Sequence, residues 1–324
     1  MKIKAILLSF SLLALVACSL EERYRGDDAP KGAVDLTTRG PSNGVVVLAF
    51  RKYTDNLYKY WKTLTPNWKL KSGNTYTAKE TLLISNYEFL FYKKVGSNTT
   101  MTTMSAETTK MDDICFYATA DAGAGAGYYK GVDEIWLPES SSVAHTEYSI
   151  TGTSNPLVSA KITRAVSQVE VILKRGTKSG GTYTPKPFAT GDISDIISSV
   201  ELDISKIGTT INLTGGLNAT AKTKVTLASS SGTVDPATGF ITLSGPFVFP
   251  NKTNEDITVG LNLNAVVPAD YPGGLATSAT GKAERNRKLE ITVWLIADNA
   301  QSISIEVSYG QMGTPVDGDT GIWE

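Results

Sequence analysis

Apolar residues return at every second position, in one short run after another, through most of the C-terminal half of the chain. Ile257, Val259, Leu261, Leu263 and Ala265 fall on one side of an extended backbone, and Thr258, Gly260, Asn262 and Asn264 on the other. The same alternation appears at Leu289, Ile291, Val293 and Leu295, and at Ile303, Ile305 and Val307. It appears again at Val200, Leu202 and Ile204, and at Val169, Val171 and Leu173. Period two places all these side chains on one face of a strand, and Gly, Ser, Thr, Asn and Pro between the runs supply turns. Many short strands with one wet face predict an all-β chain of antiparallel sandwiches. Further upstream, Val45–Phe50, Leu82–Tyr92 and Ile114–Ala118 are compact apolar runs that suit buried strands. A helical period is found only around Asp192–Ser198.

The N-terminus carries a different pattern. Lys2 and Lys4 precede an apolar stretch from Ala5 to Val16, and Leu15-Val16-Ala17-Cys18 closes it with a small residue before a cysteine. The stretch is shorter than the roughly 20 helical residues that span a hydrocarbon layer, so it reads as a secretory signal rather than a permanent anchor. The Cys18 thiol supplies a thioether to diacylglycerol, and the amino group freed by cleavage can take a further chain such as palmitate. Stable anchoring needs more than one chain. Ser19 after the cysteine points to the outer membrane, and Glu21 and Glu22 form an acidic pair beside the lipid. The predicted location is therefore the cell outer membrane, lipid-anchored and surface-exposed.

With 324 residues, about 300 remain after processing, enough for two domains. Loss of Lys2 and Lys4 with the signal changes the formal charge from −1 to −3. No concentrated basic face suggests a nucleic-acid partner. If Cys18 carries lipid, Cys115 has no partner, and stability must come from burial and sheet hydrogen bonds. Residues 19–43 are polar and broken by Gly and Pro, and read as a flexible tether with a short strand at Ala33–Thr37. Arg175–Pro187 (RGTKSGGTYTPKP) reads as a linker. The expected division is a signal peptide (1–17), a lipidated tether (18–43), a first sandwich (44–175) and a second (176–324).

No motif carries catalytic, cofactor or metal chemistry. His145, the one histidine, sits in a polar stretch beside Thr146 and Glu147 and reads as a solvated loop residue rather than part of a triad or zinc site. Gly123-Ala124-Gly125-Ala126-Gly127 lacks the spacing and strand–helix setting of a phosphate loop. Asp317-Gly318-Asp319 lacks the further carboxylates of a calcium loop. Trp61 and Trp68, with Tyr58 and Tyr60, are candidates for stacking on sugars, although covering one end of the first sandwich suits them better. The expectation is a non-enzymatic protein without cofactor or metal.

Several segments together resemble the fimbrillin family, subunits and accessory proteins of type V fimbriae in Bacteroidia. Asn86–Tyr92 (NYEFLFY) is similar to the family's Y-x-F-x-x-Y strand, and Asp112–Ala118 (DDICFYA) to its D-L-x-Y-A segment. Ile162–Val171 (ITRAVSQVEV) resembles L-x-R-x-x-A-x-V-x-V, with Ser167 in place of the usual small residue. Val200–Ile204, Ile211–Gly215, Phe247–Pro250 and Arg287–Leu295 then follow the order of the second domain's strands. The resemblance implies two tandem transthyretin-like sandwiches and assembly with other fimbrial subunits by donor-strand exchange. It also implies a role in adhesion to host or bacterial surface ligands. An Arg-specific protease removes the lipidated segment of related subunits, opening a groove that a neighbour's strand fills. Thr37-Thr38-Arg39-Gly40 is the best candidate cleavage site, with Arg23 and Arg25 as competitors. Stalk, tip and anchor roles stay open, and a surface glycan-binding lipoprotein using Trp61 and Trp68 is the alternative. Ser302–Tyr309 is either a closing strand of the second sandwich or a donor strand.

Overall fold

The computed structural model describes residues 29–40, 44–213, 215–216, 221–253, 255–267, 275–296 and 303–312. The signal peptide, Cys18, Ser19, the Glu21–Glu22 pair, Arg23, Arg25 and Asp317–Asp319 lie outside the described residues. Strands account for 62% of the structure and helix for 5%, in agreement with an all-β sandwich fold.

The first half holds β1 (Lys31–Arg39), β2 (Val46–Lys52), β3 (Tyr58–Leu64), β4 (Lys69–Ser72), β5 (Thr75–Leu83) and β6 (Ser85–Val95). It continues with β7 (Thr99–Met101), β8 (Phe116–Ala118), β9 (Glu134–Pro138), β10 (Tyr148–Ile150) and β11 (Leu157–Arg164). The order β3-β2-β6-β9-β11-β1-β5-β4, with β10 beside β6, makes one nine-stranded sheet. Its inner face closes on Val34 and Leu36 of β1, Val47 of β2, Phe89 and Phe91 of β6, and Val158 of β11. The opposite face of β2 and β6 is also buried, because Leu48, Phe50 and Leu90 enter a second cluster with Met111, Phe116 and Phe249. Two covered faces explain why Val45–Phe50 is apolar at every position instead of alternating.

The second half holds β12 (Ser167–Ser179), β13 (Thr182–Pro185), β14 (Ile197–Ile207), β15 (Thr210–Asn212), β16 (Gly215–Gly216) and β17 (Ala221–Ala228). After these come β18 (Thr233–Val234), β19 (Ile241–Val248), β20 (Asp256–Ala265), β21 (Leu275–Lys282), β22 (Arg287–Ile296) and β23 (Ile303–Gln311). A sheet β18-β19-β12-β22-β23, with β13 on β12, packs on a sheet β17-β14-β20-β21. The core between them contains Val169, Val171 and Leu173, Val200, Leu202 and Ile204, Ile257 to Leu263, and Leu289 to Leu295, each set at alternate positions. Most pairings are antiparallel, but β1–β11 and β12–β22 run parallel.

Three segments differ from expectation. Arg175–Pro187 is not a linker: Gly176–Ser179 of β12 pairs with Thr182–Pro185 of β13 around Gly180 and Gly181, whose φ values are 56° and 88°. A type I′ two-residue hairpin needs positive φ at both central positions, so the glycines that suggest a linker build a tight turn. β12 pairs with β19 from Ser167 and with β22 from Gln168, so the sheet of the second half already includes residues upstream of 176. The tether also ends early, since Lys31–Arg39 is a full strand of the first half. The helical pattern at Asp192–Ser198 yields one 3₁₀ turn, Ile193–Asp195, capped where the Ser194 N–H donates to Asp192 at 2.7 Å.

The halves are stitched together. A small sheet β16-β15-β8-β7 crosses the join, with Thr210 opposite Tyr117 and Ile211 opposite Phe116. The glycine-rich loop takes part: the Lys222 N–H donates to Gly127 O at 3.0 Å, and the Tyr128 hydroxyl donates to Asp203 at 2.8 Å. These contacts give the loop a structural role between the halves.

Candidate assembly site

The first strand is the feature that bears on function. β1 lies in the interior of the long sheet, parallel to β11 from Asp35↔Leu157 to Arg39↔Lys161 and antiparallel to β5 from Lys31↔Leu83 to Arg39↔Thr75. Gly32, Val34, Leu36 and Thr38 point inward and are buried, while Ala33, Asp35 and Thr37 face outward. Val34 and Leu36 are 0% exposed, and burial of each contributes roughly 1.5–3 kcal/mol. β1 therefore fills a groove walled by β11 and β5, and its removal would leave two strand edges unpaired and an apolar trough between them.

Arg39 is the last residue of this strand. Its side chain is exposed, but its backbone position is paired on both sides, and the Gly40 N–H donates to Asn74 O at 3.1 Å. The sequence suggests a free polar segment here; the structure gives a doubly paired strand end followed by a bend at Gly40, φ 134°. A protease needs an extended, unpaired substrate, so a cut at Arg39–Gly40 requires β1 to peel away first. In limited proteolysis with an Arg-specific protease, this bond in the folded chain is expected to be cut on the order of a hundredfold more slowly than in urea-unfolded chain. Equal rates would show that β1 is not held.

Trp61 and Trp68 are both partly buried against the first core. The Trp68 ring N–H donates to Val45 O at 2.9 Å, its ring lies 6.3 Å from that of Phe91, and Arg51 lies over Trp61 at 5.4 Å. The two rings thus pack into the wall of the sandwich rather than forming a free platform.

His145 lies at the surface, and its ring is paired on both sides. Its Nδ1 lies 3.1 Å from Glu88 and its Nε2 3.1 Å from Asp112, so carboxylates occupy both nitrogens and neither is left to activate a hydroxyl. The adjacent Glu147 accepts from the Tyr58 hydroxyl, from Lys52 at 3.1 Å and from Asn86 at 2.7 Å. These contacts tie the His145–Glu147 segment to β2, β3 and β6, and their partners are too far apart in the chain to leave a local sequence signal. Among the described residues no group of three His, Cys, Asp or Glu side chains converges to hold a metal ion.

Burial pushes the Glu88 carboxyl above its usual value, with His145 pulling it back down. A carboxyl raised on folding holds its proton more tightly in the native state, so its contribution to stability falls as pH rises from the ordinary carboxylate value through the raised one. Glu88→Gln, which stays neutral, is expected to gain stability relative to wild type as pH is raised across that window. Urea midpoints compared at both ends of it are the measurement, and a constant difference would contradict the assignment.

No protein-family profile and no curated protein matches the chain. Solved structures do. A candidate adhesin from Bacteroides ovatus aligns over 88% of this chain and 95% of its own, with a TM-score of 0.51 at 10% sequence identity. The two share one fold. The fimbrial anchor protein Mfa2 from Porphyromonas gingivalis covers 86% of this chain and 97% of its own, at 7% identity and a TM-score of 0.48. A candidate polysaccharide-binding protein from Bacteroides thetaiotaomicron covers 86% and 98%, at 12% identity and a TM-score of 0.48.

Proposed function

We propose that this chain is a fimbrillin-family lipoprotein, an accessory subunit of a type V-like fimbria at the surface of the outer membrane, with a part in adhesion. The observation that carries this reading is the place of β1. It follows the Cys18 attachment point in sequence, precedes Arg39–Gly40, and fills an interior position of the first sheet. The fold shared with the Bacteroides ovatus adhesin and the motif order from Asn86 to Leu295 support it.

With β1 in place the groove is complete and the chain stays joined to its lipid, which is the state of an anchoring subunit. Severed after Arg39, β1 becomes exchangeable, and a neighbour's strand supplies the missing hydrogen bonds and side chains. The double pairing of Arg39 favours the uncut, anchored state. The alternative, a glycan-binding lipoprotein reading sugars through Trp61 and Trp68, draws no support from two rings packed against the core.

The test is mass spectrometry of the N-terminus in purified membranes and surface filaments. Acylated Cys18 in both fractions is expected. A free Gly40 amino terminus in the filaments would overturn the anchoring role and establish a processed, polymerising subunit.

A further inference from the structure

The groove that β1 fills is not uniform along its length, and its two ends set different demands on an occupant. At the start, Gly32 faces the chain at Thr151. A Cβ built on Gly32 would lie 2.3 Å from the Thr151 carbonyl oxygen and 2.8 Å from the Ile150 side chain. The first obstacle is backbone, which cannot rotate away, so this position admits glycine and no side chain. At the other end stands Thr38, 0% exposed, between Ala160 of β11 and Tyr76 of β5. Its hydroxyl finds no hydrogen-bond partner among the described residues. A buried hydroxyl without a partner is destabilising, whereas a methyl of the same shape is not.

We propose that Gly32 and Thr38 write the specificity of this groove: it selects a strand running parallel to β11 that reads Gly-x-apolar-x-apolar-x-apolar, and it holds its own β1 less tightly than such a strand. The inference rests on the reading of β1 as an exchangeable occupant. The glycine notch fixes register. A one-residue slip turns every inward side chain outward, and a two-residue slip brings Val34 into the notch, where it cannot fit. The Thr38 end fixes preference, because the resident strand breaks the apolar series at that one position. The occupant is a strand of another polypeptide: Gly44–Phe50 of this chain reads the same way, but it is fixed between β3 and β6 as β2. Within this chain's terminal strand, Ile303–Gln311, no glycine is followed at alternate positions by three apolar residues, and that strand is already paired with β22.

The test uses the full chain with a recognition sequence for a site-specific protease placed between Gly40 and Gly44, cut after folding, so that β1 is held without a covalent link. Synthetic peptides of residues 29–39 compete for the groove against the labelled resident fragment. The Thr38→Val peptide is expected to bind about tenfold more tightly than the natural sequence, and the Gly32→Val peptide at least about a hundredfold more weakly. Binding of all three peptides within threefold of one another overturns the proposal. If even the natural peptide never enters, the exchange reading fails, and the urea midpoints of intact full-length variants still decide the groove's demands. Thr38→Val is expected to raise the midpoint and Gly32→Val to lower it. A Thr38→Val midpoint below wild type, or a Gly32→Val midpoint equal to it, overturns the assignment.

Discussion

Leu36→Asp is expected to expel β1 from the first half. Leu36 is 0% exposed, paired with Val158 on one side and Ala78 on the other, and it joins Val34 and Phe91 in the inner core. A carboxylate there is buried without a cation, or is neutralised at the expense of its ordinary pKa, and the loss comes to at least about 4 kcal/mol. Because β1 is interior, its departure separates β11 from β5 and opens the sheet at its middle. Two readouts follow. The urea midpoint drops, and cleavage at Arg39 by an Arg-specific protease, slow in the wild type, accelerates by about a hundredfold. Leu36→Met, which keeps volume and polarity, is the control and should lose less than about 1.5 kcal/mol. A Leu36→Asp chain with wild-type midpoint and a protected Arg39 would remove the central place given to β1.

Arg164→Ala is expected to be nearly as damaging by another route. Arg164 ends β11, the parallel neighbour of β1, and is 1% exposed. Its guanidinium pairs with Glu134 and lies 4.4 Å from the centre of the Trp136 ring, on the strand next to it. Burial lowers its pKa, and Glu134 pulls it back up. Truncation strands the Glu134 carboxylate in a largely buried wall and leaves a void over Trp136, a loss of about 3–5 kcal/mol. For a chain of this size that is roughly 10 °C in Tm. Arg164→Met combined with Glu134→Gln removes both charges and keeps the volume, and should recover most of the loss. Failure of the double variant to exceed Arg164→Ala would mean that the charge pair is not the cause.

How much of this could be read from sequence depended on the range of the interactions involved. The alternating runs at 169–173, 200–204, 257–265, 289–295 and 303–307 all lie in strands, because period two is a local signal. Strand direction is not readable from such runs, and two pairings, β1–β11 and β12–β22, run parallel within otherwise antiparallel sheets. β1 is visible only as a short strand in a tether, since Ala33, Val34 and Leu36 stand among Gly, Asp and Thr. What makes it interior is its pairing with β5 and β11, which lie elsewhere in the chain. The phase shared by Gly32, Val34, Leu36 and Thr38 was the available clue. The 175–187 segment failed for the opposite reason: its Gly and Thr residues serve a hairpin as well as a linker. The Glu88–His145–Asp112 contact had no local trace at all.

The pairing of Asp35 with Leu157 also has a meaning in time. A polypeptide is made from its amino end, so β1 and β5 exist long before β11 does, and contacts between distant parts of a chain form slowly. Through that interval the trough has one wall and no settled tenant. β1, present from the start and paired with β5, is the strand at hand when β11 arrives, and it is then kept by the depth of its burial. The first tenant of the trough is on this account set by order of synthesis, and relative affinities act only once β1 is released.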